Sequence, residues 1–374
     1  MNGMMKIYPP LFALMLTINT TPGADDRVKE STAGFKKWDS NNDGFLVRQE
    51  VPEGPRKIFD QVDRDRDGKV TLKEHLLATT GKAPVERETV RENENTHIKR
   101  HVIHQKWPQE PDGQDREYFV SAPVKGKNKM PVVFLFHGNG GQAKNLIKGW
   151  SRRLKDHIIV APQGYRRSWN ISDESSRAPD TRYFRHIIRA LGTHYPRARL
   201  PGVSMIGFSN GAGYIFRLLI EVDDPDMISN AVPIVSSMVT EQYHDGTFWK
   251  RSDDGSAKYD TKGRPVTGSN ILTVHGTRDR IVPYQGGKRG RNAMHLSAQD
   301  TAYHWAQQKG FKGGKIPDED GKEISRGIIC YAYGSENVIH LKVVGAGHDL
   351  GEKGRKIDEM ILDFIREGKI QKKY

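Results

Sequence analysis

From about Ile98 to the C-terminus, continuous apolar runs alternate with stretches in which apolar residues recur every three or four positions. The runs are Val132-Val133-Phe134-Leu135-Phe136, Val203-Ser204-Met205-Ile206, Ile271-Leu272-Thr273-Val274 and Val338-Ile339-His340-Leu341-Lys342-Val343-Val344. They suit strands of a parallel sheet covered on both faces. Between them, Leu146, Ile147, Trp150 and Leu154 share one helical face, as do Tyr183, Phe184, Ile187, Ile188 and Leu191. Ile357, Met360, Ile361, Phe364 and Ile365 repeat the pattern near the end. Strands alternating with amphipathic helices predict an α/β fold over 98–374, a doubly wound and mostly parallel sheet. Residues 81–97 are polar and non-periodic, the composition of a linker, and set off a smaller segment at 25–80. Before it, Leu11 to Ile18 form an apolar run behind Lys6, too short to span a bilayer, followed by small residues up to Ala24. Residues 1–24 therefore read as a secretory signal peptide, which places the chain outside the cell, in the periplasm or at the cell surface.

One junction in this pattern carries chemistry. Gly207-Phe208-Ser209-Asn210-Gly211 lies between the strand at 203–206 and a helical run, Ala212 to Ile220. A serine flanked by glycines at a strand-to-helix turn is the signature of a nucleophile elbow, since the two backbones approach where a Cβ would clash. The chain order Ser, acid, His then directs the search downstream. Asp279 follows the strand at 271–274 in His275-Gly276-Thr277-Arg278-Asp279, and His348 follows the strand at 338–344 in Gly345-Ala346-Gly347-His348. Ser209 is expected to attack an acyl carbon, His348 to carry the proton, and Asp279 to hold the imidazole tautomer. The glycine-rich turn His137-Gly138-Asn139-Gly140-Gly141 follows the strand at 132–136. The backbone N–H groups of Asn139 and Asn210 are the expected oxyanion donors, one such donor being worth roughly 3 kcal/mol. His137 precedes the serine and is expected to serve the turn rather than the reaction.

Residues from about 115 to 368 resemble the secreted α/β-hydrolase esterases that include poly(3-hydroxybutyrate) depolymerases and feruloyl or acetyl-xylan esterases. The matching segments are His137 to Gly141, Ser168-Trp169-Asn170, Gly207 to Gly211, His275 to Asp279 continuing to Val282-Pro283-Tyr284-Gln285-Gly286-Gly287, and Gly345 to His348. The resemblance implies an α/β-hydrolase fold, a Ser209–His348–Asp279 triad, no cofactor for catalysis, and a polymeric or aromatic ester as substrate. The chain departs from it at Asp349-Leu350, where members often carry Trp-Pro, and at Asp180-Thr181, where members often carry two aspartates. Trp169 and Trp249 are candidate platforms for a sugar or phenolic ring, with ordinary packing as the alternative. Trp249 belongs to a polar, turn-rich insertion, Gln242 to Asn270, that reads either as a lid over the site or as a surface loop.

The segment at 25–80 carries a second chemistry. Asp39, Asn41, Asp43, Gly44, Phe45 and Glu50 fall at loop positions 1, 3, 5, 6, 7 and 12 of an EF-hand. Asp63, Asp65, Asp67, Gly68, Lys69 and Glu74 repeat the set. Phe45 and Lys69 would offer backbone carbonyls, the others side-chain oxygens. A small all-α EF-hand pair binding two Ca²⁺ is expected, its loops joined by a short bridge between Leu46 and Val70. Pro52 and Pro55 limit the helix between the loops. The ions would be structural or regulatory; dockerins also space their loops closely, so a docking partner for this pair is the rival reading.

Charge changes the picture little. Residues 25–80 hold 11 basic and 12 acidic side chains and Lys6 is the only charge before them, so the chain's excess of +13 belongs to residues 81–374. That excess favours attraction to acidic polysaccharide or cell-surface material; no nucleic-acid motif accompanies it. The single cysteine, Cys330, lies in an apolar run and forms no internal disulfide. Besides the esterase, a serine peptidase and a non-catalytic calcium-dependent docking or adhesion protein fit the same motifs.

Overall fold

The apolar runs assemble as strands of one sheet in the computed structural model, which describes residues 24–40, 45–63, 68–80, 98–123, 128–172, 174, 176–251, 258–289, 293–335 and 337–370. The signal peptide expected at 1–24, apart from its last residue, and the linker expected at 81–97 lie outside the described residues. The chain divides into two units, Met1–Glu88 and Thr89–Tyr374.

In the first unit, helices Ala24–Trp38 and Leu72–Thr80 flank two single-turn helices, Glu53–Arg56 and Phe59–Val62. Pro52 sits at the N-cap of the first single turn, where its missing N–H is not needed. Phe45–Leu46 and Val70–Thr71 form an antiparallel bridge in which Leu46 opposes Val70. Phe35, Leu46, Val51, Phe59 and Val70 are buried together as its core.

The second unit is built on a ten-stranded sheet. Its strands are β1 (Ile98–Trp107), β2 (Glu110–Ser121), β3 (Val132–Phe136), β4 (Ile158–Pro162), β5 (Val203–Phe208), β6 (Ile228–Ile234), β7 (Asn270–Gly276), β8 (Lys322–Ser325), β9 (Ile328–Tyr333) and β10 (Val338–Val343). The order is β8-β9-β10-β7-β6-β5-β3-β4-β2-β1. The middle six run parallel, and the hairpins at either edge pair antiparallel. The helices are α1 (Ala143–Trp150), α2 (Asp180–His194), α3 (Asn210–Glu221), α4 (Ala298–Gln308) and α5 (Gly354–Glu367).

Period-two alternation along the strands divides the core into two layers. Val132, Phe134 and Phe136 of β3 join α2, α3 and α4 in one cluster, while Val133 and Leu135 join α1 and α5 in the other. A mostly parallel sheet covered by helices on both faces is the α/β-hydrolase fold the sequence predicts. The strand order reverses around β3, so β3, β5 and their neighbours open their carboxyl ends into one crevice, where open α/β sheets hold their ligands. Cys330 is half-buried on β9 and belongs to no disulfide.

The insertion differs from the expected loop. Tyr243–His244, Thr247–Arg251 and Tyr259–Lys262 form a separate three-stranded antiparallel sheet. It is fastened at the far end of α3: Val266 N–H donates to the Leu219 carbonyl at 2.8 Å, and Phe248 is buried against Trp305 of α4 with ring centroids 4.7 Å apart. Leu219 lies about 15 Å along α3 from its amino end, where Ser209 sits. The insertion's described residues flank the helical layer, and the Tyr259 hydroxyl donates to the Ile171 carbonyl at 2.7 Å.

Candidate active site

The β5–α3 turn forces Ser209 into a left-handed conformation, φ 55° and ψ −116°. Its flanking glycines are obligatory: a Cβ on Gly207 would lie 2.5 Å from the Gly211 carbonyl oxygen, and one on Gly211 would lie 2.3 Å from that of Phe136. Ser209 N–H donates to the Ile234 carbonyl at 2.9 Å, which pins the strained residue to β6.

The structure brings Ser209, His348 and Asp279 together from three separate turns. His348 Nε2 lies 2.8 Å from Ser209 Oγ, and His348 Nδ1 lies 2.7 Å from Asp279 Oδ2. The turns after β7 and β10 are locked to each other, with Arg278 N–H donating to the Ala346 carbonyl at 2.8 Å. A Cβ on Gly276 would meet that same oxygen at 2.5 Å. Asp279 is buried, which by itself favours the neutral acid. Hydrogen bonds from His275, His348 and the N–H groups of Val282 and Ile281 overcome this and hold its carboxyl well below the ordinary range. Asp279 thus stays ionised and orients imidazole Nδ1–H, leaving Nε2 to accept from the serine.

His275 is the residue that sequence reasoning missed. Its Nε2 lies 3.2 Å from Asp279 Oδ2 and 2.9 Å from the Val282 carbonyl, so it is a second imidazole donor on the same carboxylate oxygen. The signal was the spacing of four residues across the turn. Behind it runs a buried polar chain in which His340 Nδ1 is 2.8 Å from Thr273 Oγ1 and Nε2 is 2.8 Å from the Tyr284 hydroxyl. Complete burial, with help from His275 and Lys342, pushes the His340 pKa down to about 3.

The two expected oxyanion donors flank the serine. Among the described residues neither Asn139 N–H nor Asn210 N–H donates to a protein acceptor. A Cβ on Gly138 would sit 3.4 Å from Ser209 Cβ, so the Asn139 turn lies directly beside the nucleophile. His137 serves that turn: its Nδ1 is 2.7 Å from the Gly138 carbonyl and its Nε2 accepts from Gly164 N–H at 2.9 Å. Burial lowers its pKa, in keeping with a neutral ring that donates at one nitrogen and accepts at the other. The Asn210 side chain has a task not read from the sequence. Its Oδ1 accepts from Trp169 N–H at 2.7 Å and its Nδ2 donates to the Trp169 carbonyl at 3.0 Å, clamping residues 168–169 to the elbow. At the second departure from the family pattern, Asp180 is fully buried in an ion pair with Arg116 at 2.7 Å, and Thr181 donates to Glu221 at 2.6 Å.

The Trp169 platform is corrected. Trp169 is fully buried, stacked on Tyr214 at 4.7 Å, with its indole N–H donating to the His137 carbonyl at 3.0 Å. No face is left for a substrate ring. Trp249 is half-buried, its ring against His244 with centroids 5.0 Å apart. Phe248 is spent on the core.

In the N-terminal unit, Asn41, Asp43, Asp65 and Asp67 lie outside the described residues, and among the described residues no cluster of three acidic or imidazole groups forms. What is described fits an oxygen-ligand loop. Gly68 adopts φ 84° and its N–H donates to Asp63 Oδ2 at 2.9 Å. Glu50 and Glu74 each accept an N–H three residues back, from Val47 at 3.0 Å and Thr71 at 2.9 Å. Phe45 and Lys69 stand at or beside the start of the two bridge strands. All the side-chain donors are hard oxygens, the set that suits Ca²⁺.

No family model and no curated protein matches the chain. Among solved structures it is similar to an acetyl xylan esterase from Aspergillus awamori at 13% identity, with a TM-score of 0.48 over 70% of this chain and 97% of that one. The poly(3-hydroxybutyrate) depolymerase LpqC from Bordetella parapertussis is similar at 12% identity, with a TM-score of 0.44 over 73% of this chain and 90% of that one. Est1E from Butyrivibrio proteoclasticus is similar at 13% identity, with a TM-score of 0.39 over 71% of this chain and 98% of that one.

Proposed function

We propose that the chain is an exported serine esterase. The observation that carries this reading is the continuous hydrogen-bond relay from Ser209 Oγ through His348 to an ionised Asp279. Ser209 attacks the ester carbonyl as His348 takes its proton. The oxyanion is met by the N–H groups of Asn139 and Asn210. His348 then protonates the leaving alcohol and activates water against the acyl-enzyme. The favoured substrates are esters of a polymer or an aromatic acid, either hydroxyalkanoate polyester or feruloyl and acetyl esters of plant cell walls.

The N-terminal unit is proposed to be an EF-hand pair that holds two Ca²⁺ through Asp39, Asn41, Asp43, Phe45 and Glu50, and through Asp63, Asp65, Asp67, Lys69 and Glu74. When bound, calcium would neutralise these carboxylates and fix the loop geometry. Labelling with a fluorophosphonate probe tests the chemistry: Ser209 should react and hydrolysis should stop. Comparing methyl ferulate, acetylated xylan, poly(3-hydroxybutyrate) and triolein tests the substrate class. Preference for triolein with interfacial activation would make the chain a lipase, and cleavage of peptides over esters would make it a peptidase.

A further inference from the structure

A cleft of about 620 Å³ runs from the β1–β2 hairpin to the turn after β4. Its charges are nearly all matched. Glu110 pairs with Arg166 at 3.5 Å and accepts a short hydrogen bond from Tyr165. Glu117 accepts from Arg100 Nε at 3.0 Å, Asp115 lies 2.8 Å from His104, and Arg116 holds Asp180. Arg167 is the exception. It is exposed, lines the cleft, and has no carboxylate partner among the described residues.

Its position is fixed by the turn that carries the oxyanion donor. The Arg167 carbonyl accepts from Gly140 N–H at 2.8 Å, and its Nε donates to the Gly141 carbonyl at 3.3 Å. The terminal nitrogens of the guanidinium have no protein acceptor among the described residues. Arg166 and Arg167 are consecutive non-glycine residues in the left-handed region, with φ 50° and 62°. Such strain persists only where the surroundings enforce it, and it clusters at ligand sites. A guanidinium fork tethered at the Gly140–Gly141 end of the Asn139 turn matches the planar geometry of a carboxylate.

We infer that Arg167 binds a carboxylate carried by the ester substrate near the scissile bond, which narrows the polymer esters proposed above to those of acidic polymers, with a half-ester of a dicarboxylic acid as the small analogue. This rests on the esterase reading above. The positive excess on residues 81–374 would draw the same substrates in from solution.

The test compares monomethyl adipate with methyl hexanoate, which differ only in the distal carboxylate. Wild-type protein should favour the adipate. Arg167→Gln should lower the adipate-to-hexanoate ratio of kcat/KM by roughly 10- to 100-fold, the change lying mainly in KM. Arg167→Lys should keep part of the preference and Arg167→Glu should reverse it. The Gln variant removes the charge while keeping an N–H donor at the position of Nε, and the Lys variant keeps the charge, so the pair separates charge from loop disturbance. A reactive Ser209 with no adipate preference, or a ratio unchanged in Arg167→Gln, overturns this inference alone. A Ser209 that does not react with fluorophosphonate removes the esterase reading itself.

Discussion

Ser209, His348 and Asp279 meet through two contacts of 2.7 and 2.8 Å, and each contact has a different failure. Ser209→Ala or His348→Ala should leave a folded protein whose kcat falls by roughly 10⁴- to 10⁶-fold, because triad members act as a unit. Asp279→Asn should cost on the order of 10⁴-fold by presenting the wrong tautomer. Steady-state kinetics on a soluble aryl ester, with circular dichroism as the fold control, decide both; near wild-type turnover in Asp279→Asn would move the acid to another residue. His348 must be neutral to accept the proton, and the hydrogen bonds on Asp279 hold its carboxyl ionised to orient the ring. At this scale the meeting of the three residues was legible because the proposed triad has a fixed chain order and each member follows a strand. The side-chain clamp of Asn210 and the second imidazole on Asp279 were not, since nothing in a local sequence states which loops a fold brings together.

Among elements, the strands and amphipathic helices of the sheet were legible because buried periodicity is a local property. The insertion was not: its charges and glycines concealed three short strands, and the tryptophans read by chemistry alone as platforms. Trp169→Ala should therefore act on stability, by about 3–5 kcal/mol in urea unfolding, as expected for a large buried ring. Trp249→Ala should shift stability by less than about 1 kcal/mol. Equal effects would mean that Trp249 is also part of the core. The N-terminal loops make a separate prediction. Chelation should abolish calcium binding and loosen residues 25–80, detected by hydrogen exchange, while hydrolysis of a small soluble ester persists. The reason is that the relay uses only residues after 115. Loss of small-ester turnover on chelation would show that the two units are coupled.

For the whole molecule, stability in acid has a specific weak point. His340 is buried with its pKa near 3, while an unfolded histidine titrates near 6.5. Between those values the unfolded chain binds a proton that the folded chain refuses. Stability therefore falls as pH drops, by about 1.4 kcal/mol per pH unit from this one group. Asp279, depressed instead, loses its contribution only below the ordinary carboxylate range. Urea titrations at several pH values should show a slope beginning near pH 6.5, and His340→Asn should reduce it by one proton. A slope unchanged in that variant would place the titration elsewhere.

The rim of the site has unequal freedom to change. Residues 168–170 are held by the Asn210 clamp, the Trp169–Tyr214 stack and buried Asp180. Arg166 and Arg167, immediately before them, face solvent. Natural drift and laboratory libraries thus meet one wall of the site as core and its neighbour as free ground. New substrate ranges should be written at Arg166 and Arg167, whose side chains face solvent.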